Sequence, residues 1–357
     1  MRGNAIAIVD SGFDSNNTFL KKNVVGGIEI SPDGTIIENA AFHDENGHGT
    51  CCCSIIRDIV PGVRIYVIKI LNQYNQGSSL GLIGALRYVA SIDEIRIINL
   101  SLATVDKYYQ KEMERVCEEL TLQGKIIISS LGNGMLESFP ASFHNVIGVR
   151  GNNFFYSHDY WFNERYSIQG VADCNPTLVK KSPSNFSVIS GNSKAAILFS
   201  GIVLKQIEEC KIHSISDLER FSKRSEWNEM DIHENELLSK KIIEDYKSVK
   251  VEEDDVELME KIVQIIQESF GTDIITKQAY KHNFLQHQFP FSIHKLYRAL
   301  CIIEEEFQFD FCVSPIPLYD VLDVYSILAV VKRMQSRRQL EKNDWNAFHG
   351  RITNKTI

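Results

Sequence analysis

The chain has 357 residues, of which 44% are hydrophobic and 24% charged, which is ordinary for a globular protein of two domains. Its formal net charge is −8, and no basic cluster is interleaved with aromatic residues, which argues against a nucleic-acid surface. The first apolar run, Ala5–Val9, is too short for a signal sequence or a membrane span. We therefore predict a cytoplasmic protein that binds neither nucleic acid nor a membrane.

The cysteines also indicate a reducing compartment. The chain has eight of them and no CxxC pair, and Cys51, Cys52 and Cys53 are adjacent. This spacing suits neither a disulfide framework nor a zinc site. We expect these side chains to act as small hydrophobic groups in the core, and we assign no metal ligands.

Apolar, β-rich runs alternate with helix-periodic segments through the first 150 residues. Strands are predicted over Ala5–Val9, Val24–Ile30, Thr35–Ile37, Arg64–Leu71, Arg96–Leu102, Lys125–Ser130 and Asn145–Val149. Helices are predicted over Cys51–Ile59, Ser78–Ser91 and Lys107–Gln123. Because crossovers between parallel strands are right-handed, this alternation predicts an α/β fold, with a parallel sheet flanked by helices on both faces.

Three polar residues stand where such a fold places functional groups. Asp10 follows the first strand, at the end where open α/β sheets bind ligands. His48 opens a helix between two glycines, and Ser193 stands where the strand-like run Phe186–Ile189 turns into a helix. A serine at a helix start is usually a cap. The unpaired N–H groups there could equally stabilise an oxyanion formed at that hydroxyl.

Four segments in this order resemble the catalytic motifs of the subtilisin-like serine proteases, peptidase family S8. They are Ala7–Gly12, His48–Thr50, Ser130–Gly134 and Ser190–Ala196. The resemblance covers residues 1–212 and implies the subtilisin-like parallel sheet flanked by helices.

The resemblance also implies a Ser-His-Asp mechanism. Ser193 would attack the scissile carbonyl, His48 would take up and return its proton, and Asp10 would orient and stabilise the imidazolium. Asn133, with the Ser193 N–H, would bind the oxyanion. The implied substrate-binding residues are Asn99, Ser101, Leu102, Ala103, Ser130, Leu131, Gly132 and Ser138. Their types suggest an uncharged residue before the cleaved bond.

Some features leave alternatives open. Lys194 stands beside the nucleophile where the family has an apolar residue, and its ammonium could point to solvent or favour acidic substrates. The aromatic-rich segment Asn152–Tyr166 could be a packed loop or a wall of the substrate cleft. Asp44, Glu45 and Asn46 offer oxygen atoms to calcium, but we expect a solvated loop there.

The second half of the chain is predicted to be helical. Residues 213–255 are charged and interpreted as a helical linker. Amphipathic helices are predicted over Val256–Phe270, Ser292–Phe307 and Val321–Met334. They would form a small all-α bundle within residues 256–335, followed by a polar tail over 336–357.

This bundle resembles acyl carrier proteins, chiefly in Phe284-Leu285 and Ala299–Phe307. That family attaches phosphopantetheine to a serine in Asp-Ser-Leu, and this chain has Phe291-Ser292-Ile293-His294 at that place. We therefore expect no phosphopantetheine and interpret the bundle as an acyl-carrier-related binding module. Such modules accompany intracellular subtilisin-like proteases in systems that mature bacteriocin-like peptides.

Together these resemblances predict a cytoplasmic serine endopeptidase that removes the leader from a ribosomally made, bacteriocin-like precursor peptide. The helical module would recruit the precursor or a partner maturation enzyme, and no cofactor is needed. Two alternatives remain open. One is a general intracellular protease of regulatory or turnover type, and the other is a non-catalytic binding protein with a subtilisin fold.

Overall fold

The computed structural model describes residues 5–37, 42–154, 156–182, 185–246, 255–271, 284, 292–311 and 315–336. The chain divides into two compact units. One comprises residues 1–242 with 312–315, and the other comprises residues 243–311 with 316–357. The first unit contains the large sheet, and the described part of the second is mainly helical.

Among the described residues, nine strands form the large sheet of the first unit. They are β1 (Ala5–Asp10), β2 (Val24–Ile30), β3 (Ile36–Ile37), β4 (Arg64–Lys69), β5 (Ile95–Leu100), β6 (Ile126–Ser130), β7 (Ile147–Asn152), β8 (Tyr160–Phe162) and β9 (Gly170–Asp173). Their spatial order is β3-β2-β4-β1-β5-β6-β7-β9-β8. Pairing is parallel except at the two edges, β2–β3 and β8–β9. The predicted parallel α/β sheet is confirmed.

Helices cover both faces of this sheet. They are α1 (Thr18–Lys21), α2 (His48–Ile59), α3 (Ser79–Ala90), α4 (Gln110–Leu122), α5 (Gly191–Glu208) and α6 (Glu229–Tyr246). The central strand β1 shows why the strands are apolar throughout. Ile6 and Ile8 pack in the cluster that contains α2 and α5, whereas Ala5, Ala7 and Val9 pack with α3 and α4. A strand covered on both faces has no polar side.

Helix α5 has the longest continuous run of buried residues among the described helices of the first unit. Its residues from Lys194 to Leu204 are all buried. A helix that is apolar on every side fits in the interior of a domain, which explains its length and composition. Its first turn projects toward the ends of the strands that carry the candidate site, so the packing of the core also orients that turn.

The segment between β7 and α5 contains three strands that the sequence pattern did not predict, and a fourth that contains the predicted strand-like run Phe186–Ile189. Besides β8 and β9, it contains the antiparallel hairpin β10 (Thr177–Ser182) and β11 (Asn185–Ile189). Phe154, Tyr160, Trp161 and Phe162 are buried, so these aromatic side chains pack in the core rather than forming a wall of the cleft, whereas Tyr156 is exposed. Short, fully buried strands lack the alternation by which strands are recognised. Phe155 lies outside the described residues.

The second unit contains α7 (Val256–Phe270), α8 (Ile293–Phe307) and α9 (324–336). The first two coincide with predicted helices, and α9 begins three residues later than predicted because Leu318–Val321 forms a short 3-10 turn. Ile262, Leu300 and Ile327 are among their buried apolar side chains. The acyl-carrier resemblance, including phosphopantetheine attachment near Phe291, which lies outside the described residues, stays a prediction.

Cys51, Cys52, Cys53, Cys117, Cys174 and Cys210 are free thiols. Cys51, Cys52 and Cys53 are buried in α2, as expected for small hydrophobic groups, whereas Cys210 is exposed. Cys312 lies outside the described residues. No helix in the described part of the chain is both long and apolar enough to cross a bilayer.

Replacing Ile56 by alanine tests the packing of α2 against α5. Ile56 is fully buried, so we expect Ile56→Ala to lower the free energy of unfolding by about 2–5 kcal/mol through lost burial and a cavity. Denaturant unfolding measures this. The matched control Leu122→Ala, at a side chain that is 88% exposed, should change it by less than about 0.5 kcal/mol. Equal effects would contradict this packing.

Candidate active site

A carboxylate and an imidazole meet at the centre of the sheet. Asp10 is the last residue of β1, and its side chain is fully buried. Its Oδ1 and Oδ2 lie 2.8 and 2.9 Å from Nδ1 of His48, the first residue of α2. Strands β4 and β5 flank β1 on opposite sides, so the carboxyl end of β1 is a point where the strand order reverses. Open α/β sheets form their ligand crevices at such points.

The buried carboxylate of Asp44 holds the start of α2. It accepts hydrogen bonds from Ser11 Oγ at 2.8 Å, from Gly47 N at 2.6 Å and from Thr50 Oγ1 at 2.6 Å. Burial alone would raise the pKa of Asp44, but these hydrogen bonds outweigh it and lower the pKa below its usual value. Asp44 therefore acts as a cap that fixes the His48 backbone. Sequence reasoning expected a solvated loop here, whereas the Asp44 side chain is buried.

Close backbone approach completes this corner of the site. A side chain on Gly49 would bring its Cβ within 2.3 Å of the Gly12 carbonyl oxygen. The Gly49 N–H donates to Ser11 Oγ at 2.9 Å. The glycine beside His48 thus lets α2 start directly against the loop that follows Asp10.

Ser193 lies in the first turn of α5, on the same face of the sheet as α2. Its hydroxyl donates to the Ser101 carbonyl oxygen at 2.9 Å, so in this state its proton is not directed to His48. The Ser101 hydroxyl in turn donates to the Ser193 carbonyl oxygen at 3.0 Å. These two hydrogen bonds attach the first turn of α5 to the residue that follows β5. Hydrogen bonds of catalytic groups are often realigned only when substrate binds.

The side chain of Asn192 connects the first turn of α5 to β7 and to the loop that follows β6. It donates to the Leu131 carbonyl oxygen at 2.8 Å and accepts from the Gly151 N–H at 2.7 Å. The Asn192 backbone N–H donates to Oδ1 of Asn133 at 3.1 Å. This bond uses the acceptor end of the Asn133 amide and leaves its NH₂ group as a donor for a substrate oxygen. The role of Asn192 escaped sequence reasoning, which considered Ser193 and Lys194 in this turn.

Gly191 is required by the same geometry. Its φ is +71°, a conformation that L side chains rarely adopt, and an added Cβ would lie 3.0 Å from Asn133 Oδ1. The glycine before Asn192 therefore lets the turn approach the amide of Asn133.

The charge of Asp10 governs the titration of His48. Burial of the imidazole disfavours its protonated form, but the attraction of the Asp10 carboxylate outweighs this and holds the pKa of His48 well above its usual value. A histidine so placed is a strong base once it is neutral.

The thiol of Cys52 lies next to this pair. Its Sγ is 3.7 Å from Asp10 Oδ2 and 3.9 Å from His48 Nδ1, so the three side chains could be grouped by distance as metal ligands. Burial, followed by the charge of Asp10, raises the pKa of Cys52 to about 12, so the thiol stays protonated at neutral pH. Because Nδ1 is also engaged with the carboxylate, these atoms are arranged for proton handling, and we assign no metal to them.

An open cleft of about 800 Å³ runs past Ser193. Of the predicted substrate-binding residues, it is lined by Ser101, Leu102, Ala103, Ser130, Leu131 and Gly132, and Asn133 lines it as well. Asn99 and Ser138 lie beneath this lining. Asn99 Nδ2 donates to Ser101 Oγ at 2.9 Å, and Ser138 Oγ accepts from the Gly132 N–H at 2.9 Å. Both side chains are buried, and through these hydrogen bonds they support Ser101 and Gly132, which line the cleft.

Lys194 follows neither of its two sequence-based alternatives. Its side chain is only 4% exposed, and its ammonium pairs with the buried carboxylate of Asp173. It therefore neither points to solvent nor offers a free charge to a substrate. The three oxygen donors considered for calcium have partners in the protein. Asp44 caps α2, Asn46 Oδ1 accepts from the His48 N–H at 3.2 Å, and Glu45 Oε2 lies 3.8 Å from the Lys69 ammonium.

Comparison with known proteins identifies relatives of this chain. The model of the subtilase family, peptidase S8, matches residues 1–234. Thermitase of Thermoactinomyces vulgaris is 25% identical over 214 residues, which cover 56% of this chain and 73% of the relative. The intracellular serine protease of Paenibacillus polymyxa is 23% identical over 222 residues, or 58% of this chain and 68% of the relative.

The major intracellular serine protease of Bacillus subtilis (strain 168) is 24% identical over 223 residues, which cover 57% of this chain and 69% of the relative. The resemblance to subtilisin-like serine proteases is thereby confirmed at the level of the family. The helical second unit lies beyond residue 234, where the family match ends.

The raised pKa of His48 predicts an alkaline pH dependence. His48 must lose its proton to act as a base, so labelling by a fluorophosphonate should rise with pH, with a midpoint above the ordinary histidine value of about 6.5. Asp10→Asn should move the midpoint down and slow labelling by about 10⁴-fold. Rates of labelling between pH 5 and 10 measure both effects.

The control for this experiment is Asp14→Asn, a partly buried carboxylate in the same loop. We expect its midpoint and rate to match the unmodified protein. A midpoint that stays unchanged in Asp10→Asn would contradict electrostatic control of His48 by Asp10.

Proposed function

The chain belongs to the subtilase family, and from this premise we propose that it is a serine endopeptidase in which Ser193, His48 and Asp10 carry out acyl transfer. The observation that carries the proposal is the buried Asp10 carboxylate, 2.8 Å from His48 Nδ1. That bond selects the tautomer in which Nε2 is free to accept a proton. Helix α5 supplies a serine whose N–H belongs to a first turn that has no acceptors within the helix.

Catalysis would begin when the Ser193 hydroxyl turns from the Ser101 carbonyl oxygen to His48. Its oxygen forms a bond to the scissile carbonyl carbon while its proton passes to Nε2. The carbonyl oxygen becomes an oxyanion, which the Asn133 NH₂ group and the Ser193 N–H can bind. His48 then protonates the leaving amine as the C–N bond breaks, and water releases the acyl group by the reverse proton transfers.

The substrate is proposed to be an extended peptide with an uncharged residue before the cleaved bond. Of the described residues that line the cleft, Asp106 is the charged one, and the others are apolar or neutral polar. The segment Ser101–Ala103 continues from β5 and borders the cleft, so its backbone can pair with a peptide as an added strand.

We further propose that the physiological substrate is a ribosomally made, bacteriocin-like precursor peptide and that the helical second unit recruits it or a partner maturation enzyme. The support is architectural, since the chain carries a compact unit beyond the family's catalytic region. A general intracellular protease is the second candidate, because two relatives are named intracellular serine proteases. The same names support a cytoplasmic location.

A fluorophosphonate probe tests catalysis directly. We expect the unmodified protein to be labelled at pH 8 and Ser193→Ala to show no labelling, because the probe forms its bond with the serine oxygen. Mass spectrometry identifies the modified peptide. The matched control Ser190→Ala, three residues earlier in the same loop, should still be labelled. A folded, unlabelled wild-type protein would instead indicate a non-catalytic binding protein.

Removing residues 250–357 tests the recruiting role of the second unit. We expect the truncated protein to show a KM at least tenfold higher for the precursor peptide encoded beside its gene, and an unchanged KM for a short peptide spanning the cleavage site. The reason is that only the long peptide can contact both units. Equal effects on both peptides would contradict recruitment, and cleavage of unfolded casein as fast as the precursor would favour the turnover protease.

A further inference from the structure

The residue after the nucleophile carries a buried charge. The ammonium of Lys194 lies 2.5 Å from Asp173 Oδ2 and 2.8 Å from the Asn175 carbonyl oxygen. The Lys194 and Asp173 side chains are 4% and 3% exposed. Taking both charges out of water is unfavourable, and an apolar side chain of similar volume is often at least as stabilising in such a place. The pair is therefore better explained by what it orients than by stability alone.

The carboxylate is itself held rigidly. Asp173 is the last residue of β9, and its Oδ1 accepts from the Phe154 N–H at 3.0 Å and from Asn175 Nδ2 at 2.7 Å. Asn175 Nδ2 also lies 3.0 Å from the Phe154 carbonyl oxygen. Both carboxylate oxygens are thus engaged, and the anion offers Lys194 a fixed partner rather than a mobile one.

The same segment, residues 173–175, makes a second contact with α5. The Gly191 N–H donates to the Cys174 carbonyl oxygen at 3.1 Å. Residues 173–175 therefore contact α5 on both sides of Ser193. They bind Gly191 through a backbone hydrogen bond and Lys194 through the ion pair with Asp173. Asn192, the remaining neighbour of Ser193, is anchored through its side chain to Leu131, which follows β6, and to Gly151 of β7. The nucleophile sits between anchored residues and is itself free to change hydrogen-bond partner.

From this arrangement we propose that Lys194 is a positioning residue, whose ion pair with Asp173 fixes the first turn of α5 so that the Ser193 hydroxyl and N–H keep the geometry that attack requires. The inference rests on the proposed protease function and adds a residue to it. Reacting groups must be held to within about 0.5 Å of the productive geometry. A displacement of about 1 Å can slow a reaction by about 100-fold.

The test separates turnover from folding by counting active serines. Fluorophosphonate titration gives the concentration of reactive Ser193, and kcat is then expressed per titrated serine with a peptide substrate. We expect Lys194→Met to lower this kcat about 10–100-fold with KM changed less than twofold. Asp173→Asn, which keeps the shape of the side chain, should act in the same direction. The double variant should be no slower than the slower single variant, because the two residues act as one unit.

Lys125→Met is the matched control. Lys125 is also a buried lysine, 6% exposed, and its ammonium donates to the Ile92 and Ile95 carbonyl oxygens at the opposite ends of the strands from the site. We expect this variant to lose thermal stability and keep the wild-type kcat per titrated serine. If Lys194→Met fails to fold, Asp173→Asn provides the same comparison.

Two outcomes overturn the proposal, and they differ. If the wild-type protein is labelled but Lys194→Met and Asp173→Asn change only the melting temperature, as Lys125→Met does, the ion pair is structural and the protease assignment survives. If the wild-type protein neither reacts with the probe nor cleaves the peptide, the proposed function fails and the positioning role fails with it.

Discussion

The structure depends on one fully buried carboxylate. Asp10 ends a strand that is covered on both faces, so its charge must be satisfied by the protein rather than by water. The Ser11 N–H donates to it at 2.7 Å, and His48 supplies the second partner. Keeping the imidazole there requires α2 to begin directly at the end of β1, and the cap formed by Asp44 meets that requirement. The positions of the loop after β1, of the start of α2 and of the His48 imidazole thus follow from one buried charge.

Ser193, the proposed nucleophile, is positioned by different means, on a helix that is held by apolar packing. Eleven consecutive residues of α5, Lys194–Leu204, are buried, so the helix axis is fixed by the core. Apolar contacts fix an axis well but specify the rotation of a terminal turn less sharply. At that turn the structure replaces apolar contacts by directed ones, the amide of Asn192 and the ammonium of Lys194. The site therefore combines a rigid scaffold with hydrogen bonds that choose one orientation.

The buried carboxylates of Asp44 and Asp173 and the partly buried amide of Asn192 have their partners in the first unit. The oxygens of Asp44, Asp173 and Asn192 all accept hydrogen bonds from backbone N–H groups. Such networks are destabilising when one member is removed, because the remaining groups are left buried and unsatisfied. Substitutions near this site therefore affect stability and turnover together, and activity must be measured per folded, titratable serine.

The sequence by itself predicted the parallel sheet and its strands up to β7, and it indicated Asp10, His48, Asn133 and Ser193 as candidate site residues, because apolar periodicity and short motifs are local signals. It also indicated the helices of the second unit. Tertiary structure alone decided that Lys194 turns inward, since its partner Asp173 is 21 residues away and becomes a neighbour only when β9 lies beside β7. A charge in a sequence carries no information about its distant partner, and burial depends on which strands become adjacent.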